Sequence, residues 1–92
     1  MITSFSHKGL EKFFKTGSAK GIDGNHVNKL RRQLDALDAA TQVRDMGIPG
    51  WGLHELLGKR KGTWAVEVSG AWRLTFKISD GNAFLVDYEQ YH

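Results

Sequence analysis

The sequence predicts an α+β fold in which two N-terminal helices pack on one face of a small curved antiparallel β-sheet. Three observations predict it. The first half of the chain carries two apolar sets at helical spacing, Leu10 with Phe13 and Phe14, then Val27, Leu30, Leu34 and Leu37. The second half carries runs that alternate apolar and polar residues at the strand period. Turn-forming glycines separate those runs, so the strands follow one another as a meander, with helices on one face and the other left open.

Taken in order, residues 2–6 are expected to form a short opening strand at the sheet edge. Ser6 is the expected N-cap of the first helix, and Gly17 ends it. Small and turn-forming residues make 18–24 a connector. Asp23 or Asn25 caps the second helix, in which Lys29, Arg31, Arg32, Gln33, Asp35 and Asp38 lie mostly away from the apolar stripe, as on a solvated face. Residues 46–52, with Gly47, Pro49, Gly50 and Gly52, read as a loop, and 53–57 as a short strand or turn.

The stretch 62–76 is the centre of the reading. Trp64, Val66 and Val68 alternate with Thr63, Ala65 and Glu67, and Trp72, Leu74, Phe76 and Ile78 alternate with Arg73, Thr75 and Lys77. Putting both apolar sets on one side demands that Val68 oppose Trp72, Val66 oppose Leu74 and Trp64 oppose Phe76, because a one-residue slip turns the whole set to solvent. The loop Ser69-Gly70-Ala71 then has three residues, with Gly70 where positive φ is needed. The same parity puts Arg73 on the uncovered face. Ser79-Asp80-Gly81-Asn82 signals another turn, again with an odd loop expected, before a last strand with Phe84, Val86 and Tyr88 on one side and Leu85, Asp87, Glu89 and Tyr91 on the other. Leu85 breaks that pattern.

Ninety-two residues that are 40% hydrophobic suffice for one core, so a single domain spanning 1–92 is expected. The chain has no cysteine, which removes disulfides, thiolate zinc sites and thiol nucleophiles. Neither a membrane-length apolar run nor a signal-peptide pattern is present, so a cytoplasmic protein without a membrane partner is expected. Net charge of +3 suits an anionic partner.

His54, Arg73, Tyr91, His92 and the basic cluster Lys59-Arg60-Lys61 can converge on the uncovered face. Together they supply what metal-free RNA cleavage needs. A 2′-hydroxyl must lose a proton, the departing 5′-oxygen must gain one, and charge on the phosphorus centre must be stabilised. Imidazoles suit the proton transfers, a guanidinium suits the phosphate, and an aromatic ring suits a splayed base. The basic cluster between glycines suits the RNA backbone. Plainer explanations stand beside these: Arg73 facing Asp87 or Glu89 across strands makes an ion pair without any ligand, and a loop cluster of lysines is often only solvated. Trp51, Trp64 and Trp72 read as core or loop anchors. No histidine pair has metal-ligand spacing, so no metal or other cofactor is expected.

The run from Leu53-His54-Glu55-Leu56 through Gly58, Arg60, Gly62, Trp64, Val66, Val68 and Trp72-Arg73-Leu74-Thr75-Phe76 to Asp87-Tyr88 and Tyr91-His92 resembles the HigB branch of the RelE/ParE toxin superfamily. The likeness spans nearly the whole chain. It implies a RelE-like fold and a type II toxin acting as a ribosome-dependent mRNA endoribonuclease (an mRNA interferase) in the ribosomal A site. It also implies a HigA-like helix-turn-helix antitoxin, through which the complex binds operator DNA. The catalytic positions it implies are His54, Arg73, Tyr91 and His92. Three positions depart from the family pattern: Leu57 where lysine is frequent, Ala71 where a polar residue is, and Gln90 where an acid is. The alternatives are a ParE-like toxin that inhibits DNA gyrase without cutting RNA, and a catalytically weak toxin that mainly binds antitoxin and operator.

Overall fold

The computed structural model describes residues 1–91. Helix α1 spans Lys8–Thr16 and helix α2 spans Val27–Ala39. Strands β1 (His54–Glu55), β2 (Trp64–Ser69), β3 (Trp72–Ser79) and β4 (Asn82–Gln90) form one antiparallel sheet in the order β1-β2-β3-β4. The expected α+β architecture is thus the observed one. Leu10 and Phe13 from α1 and Leu30, Leu34 and Leu37 from α2 bury against Val66, Val68, Leu74, Phe76, Val86 and Tyr88 from the sheet. Burial of a leucine-sized side chain stabilises by roughly 1.5–3 kcal/mol, so this one interface supplies most of the driving force for the layered arrangement. Trp51, Trp64 and Trp72 pack at its margins, as anchors.

The helix boundaries depart from expectation in their caps. His7, not Ser6, caps α1: its Nδ1 accepts from the Leu10 amide at 2.9 Å, one residue later than the hydroxyl expected there. Gly17 ends the helix at φ 79° with its N–H on the Phe13 carbonyl, the left-handed C-terminal stop that glycine permits. Asp23 caps a 3₁₀ turn, Gly24–His26, that leads directly into α2. Gln33, expected on the solvated face, is fully buried and donates from Nε2 to the Glu67 carbonyl at 2.8 Å. Beyond the end of the two-residue strand β1 no strand partner is left for this carbonyl, and a side-chain amide supplies it, next to a bulge between Glu67 and Ser69 in the ladder to β3.

That bulge also corrects the hairpin. Trp64 opposes Phe76 and Val66 opposes Leu74 as expected, but Trp72 opposes Ser69 rather than Val68, leaving a two-residue loop. Gly70 has φ 54°, as the turn demands. The second hairpin is likewise two-residue, with Asp80 at φ 54° and Gly81 at φ 78°, the paired positive angles that match strand twist. A further irregularity between Thr75 and Lys77 places Phe84 opposite Lys77 and Ala83 opposite Ile78, so Phe84 does not share a face with Val86 and Tyr88. Leu85 absorbs the extra residue at φ 50° and is half exposed. The expected opening strand reduces to two isolated parallel bridges, Ile2 with Ala83 and Phe5 with Val86. Between them the Leu85 amide donates to the Ser4 hydroxyl instead of a backbone carbonyl, which breaks the ladder.

Candidate active site

Antiparallel partners point to the same face of a sheet, so the pairings fix what lies opposite the helices. One row runs His54, Ala65, Thr75, Asp87; the next runs Glu67, Arg73, Glu89. His54 and Arg73 therefore share the face opposite the helices, two strands over and two residues along, roughly 12 Å apart by ordinary strand spacing.

His54 is exposed, and its Nδ1 lies 2.8 Å from the Gly52 carbonyl oxygen. A carbonyl only accepts, so Nδ1 carries a proton and Nε2 is the nitrogen left to work. Gly52 makes this turn at φ 61°, with Glu67 packed over its Cα so closely that a Cβ would stand 3.1 Å from the Glu67 Cδ.

Arg73 lies largely under this surface, with its side chain 15% exposed. Nη1 donates to the Gly70 carbonyl at 2.6 Å and to the Trp72 carbonyl at 3.0 Å, tying it to the hairpin turn. Nη2 is 3.4 Å from Glu67 Oε1, and Nε is buried without a hydrogen-bond partner among the described residues. The guanidinium carbon stands 5.2 Å from the centroid of the Tyr91 ring, a cation–π contact. Tyr91 is held there by its own amide, which donates to the Ala71 carbonyl at 2.8 Å. His54, Arg73 and Tyr91 thus form a continuous set through Gly52 and Glu67. His92 lies outside the described residues.

The basic cluster divides. Lys59 and Lys61 are exposed and make no ion pair among the described residues. Arg60 instead grips Glu89 with both terminal nitrogens, at 2.8 and 2.6 Å, while the Thr75 hydroxyl donates to the same carboxylate. These bonds hold the Glu89 carboxyl below the usual carboxylate range, the Arg60 contact contributing most and burial opposing it; the same contact raises Arg60. Glu55 accepts from the Gly62 amide at 2.8 Å and pins the other end of the basic loop.

Sequence reasoning gave no role to Glu67, Thr75 and Glu55, and it expected Asp87 or Glu89 as the partner of Arg73, where the structure pairs Arg73 with Glu67 and Glu89 with Arg60. The parity rule placed Glu67, Thr75 and Glu89 on the right face, but the pairing of Arg73 with Glu67 rather than Glu89 follows from Arg60 arriving from a loop whose path is not periodic. Leu57, beside the basic loop, is 89% exposed. Gln90 opposes Trp72, on the helix-side row rather than among the site residues. A depression lined by Phe13, Phe14, Arg31, Leu34 and Asp35 lies on the helical side, away from these residues. Among the described residues, no cluster of His, Asp and Glu has the geometry to hold a metal ion, and no helix is long and apolar enough to cross a membrane.

Known proteins give this arrangement its context. A family model described as a RelE-like toxin of the type II toxin-antitoxin system HigB matches residues 3–92. The chain is 38% identical over 92 residues to "Endoribonuclease HigB" of Proteus vulgaris, covering all of both chains. It is 34% identical over 85 residues to "Toxin HigB-1" of Vibrio cholerae serotype O1, covering 90% of each. Among solved structures, the YoeB-YefM complex from Staphylococcus aureus superposes with a TM-score of 0.63 at 18% identity, covering 100% of this chain and 98% of that one. The YoeB dimer from the same organism gives 0.61 at 19% identity, covering 99% and 97%. These two structures share the fold. The family implies an antitoxin partner, and with matches over its full length the chain belongs to the HigB-like, RelE-type toxins of type II toxin-antitoxin systems.

Proposed function

We propose that this protein is the toxin of its system and acts as a ribosome-dependent endoribonuclease, cutting mRNA in the ribosomal A site without a metal ion. The observation that carries the reading is His54 with Nδ1 fixed on the Gly52 carbonyl and Nε2 left over, on the same helix-free face of the sheet as Arg73. Homology over the full length to a protein named as an endoribonuclease supports it.

In the proposed reaction the 2′-hydroxyl oxygen attacks the adjacent phosphorus and the bond to the 5′-oxygen breaks, leaving a 2′,3′-cyclic phosphate and a 5′-hydroxyl. One proton leaves the 2′-oxygen and one reaches the departing 5′-oxygen; His54 and His92 divide these two transfers. Arg73 stabilises the charge on the phosphoryl oxygens, and Tyr91, stacked beneath it, contacts phosphate or base. Lys59 and Lys61 face the RNA backbone, and they are the nearest candidates to supply the charge absent at Leu57. Arg60 fixes the loop that carries them. In the cell a HigA-like helix-turn-helix antitoxin restrains the toxin, and the complex reaches operator DNA through that antitoxin.

The test is to map new 5′ ends of transcripts after brief induction, with ribosomes active and with them stalled before mRNA loading. Cuts bearing 5′-hydroxyls that require translation, and that disappear in Arg73→Ala, are expected. Growth arrest with DNA breaks and intact mRNA would replace this reading with gyrase inhibition.

A further inference from the structure

The guanidinium of Arg73 is unevenly used. Nη1 is satisfied by two backbone carbonyls, while the N–H groups on Nε and Nη2 make no hydrogen bond among the described residues. Those two nitrogens form the edge with which arginine grips a carboxylate or phosphate through two parallel bonds. Along that edge the nearest anion among the described residues is Glu67, at 3.4 Å from Nη2, close enough for attraction and too long for a good hydrogen bond. Its other side rests on Gly52, whose carbonyl fixes His54. The Glu67 carboxylate therefore lies between the two groups assigned above to the reacting phosphate.

The geometry points to Glu67 as a competitor for that phosphate: its carboxylate stands against Nη2 on this edge of Arg73 when no substrate is present and must be displaced when a phosphoryl group binds. This rests on the reading of Arg73 as the phosphate ligand. Two features make displacement feasible. The Glu67 side chain is half exposed, so it can swing to water, and Arg73 does not depend on it for position, being held by Nη1 and by the Tyr91 ring. The backbone of Glu67 is held separately, its amide donating to the Trp51 carbonyl and its carbonyl accepting from Gln33, so an isosteric side-chain change leaves the strand intact. Glu67 is thus a residue that sets affinity for the phosphate and, through it, selectivity for substrates that bring enough other contacts to displace it.

The experiment follows the Arg73 Nε–H resonance by ¹⁵N-edited NMR while inorganic phosphate is added to wild type, Glu67→Gln and Asp87→Asn. Asp87→Asn removes the same charge from the same face without touching Arg73, and so measures the general electrostatic effect. Glu67→Gln is expected to lower the phosphate midpoint at Arg73 by about two- to fivefold, the scale of one exposed charge pair, with Asp87→Asn shifting it less. Equal midpoints in wild type and Glu67→Gln, an equal gain in Asp87→Asn, or no response of Arg73 in any protein overturns the inference. The readout needs neither ribosomes nor cleavage, so a failure of the nuclease reading is seen separately, in the transcript maps.

Discussion

At the scale of single residues, the roles proposed for His54 and Arg73 make different demands. His54 is exposed and held by one hydrogen bond, so replacing it changes chemistry and little else. His54→Ala is expected to lower the cleavage rate by about 100- to 10,000-fold, the usual yield of one positioned proton-transfer group, with ribosome binding unchanged. Single-turnover cleavage and binding measured on the same programmed ribosomes check this, and equal loss in both measurements would assign His54 to binding. Arg73 is mostly buried and wedged between two carbonyls and an aromatic ring. Arg73→Lys is therefore not conservative: a lysine keeps the charge but loses both the fork and the planar stack. It is expected to fold, yet to cleave nearly as poorly as Arg73→Ala. Near wild-type turnover in Arg73→Lys would mean that charge alone suffices.

At the scale of elements, the decisive features are the two bulges, and they show where sequence stops being legible. Strand identity, the register of Trp64 with Phe76 and Val66 with Leu74, and the face of Arg73 all follow from period-two alternation. Parity, however, assumes that no residue is inserted. The bulge before Ser69 shortens the first loop, and the one at Leu85 turns Phe84 away from Val86, neither with a glycine to announce it. A leucine at positive φ is costly by roughly 1–2 kcal/mol, because its Cβ crowds the backbone there. Leu85→Gly removes that cost while surrendering a side chain that is 48% exposed. Partly offset by the extra entropy of glycine, it is expected to stabilise the protein by about 0.5–1 kcal/mol in denaturant unfolding. A loss of stability instead would show that the Leu85 side chain contributes packing that its exposure does not suggest.

At the scale of the whole molecule, the site is assembled from places the pattern rules treat separately. The order of helices and meander, and the residues that share the face opposite the helices, were legible because each depends on periodicity. The convergence of the 58–62 loop with the end of β4 was not, because it depends on Arg60 reaching Glu89 across 29 residues of chain. That ion pair, with Thr75 beneath it, joins the basic loop, β3 and β4. Its pH dependence has a definite sign. The Glu89 carboxyl is lowered in the folded protein, chiefly by Arg60, so the folded state binds its proton less readily than the unfolded chain does. The stabilisation is therefore complete above the ordinary carboxylate value of about 4.3 and is lost as pH falls through the lower folded value. Glu89→Gln is expected to cost about 1 kcal/mol at neutral pH, the upper range for a partly exposed pair, and to make the acid limb of the stability curve shallower. The two proteins should approach each other in stability as the pH is lowered below about 4. Parallel curves across that range would show that the pair contributes no charge-dependent stability and that Thr75 and packing alone hold the loop in place.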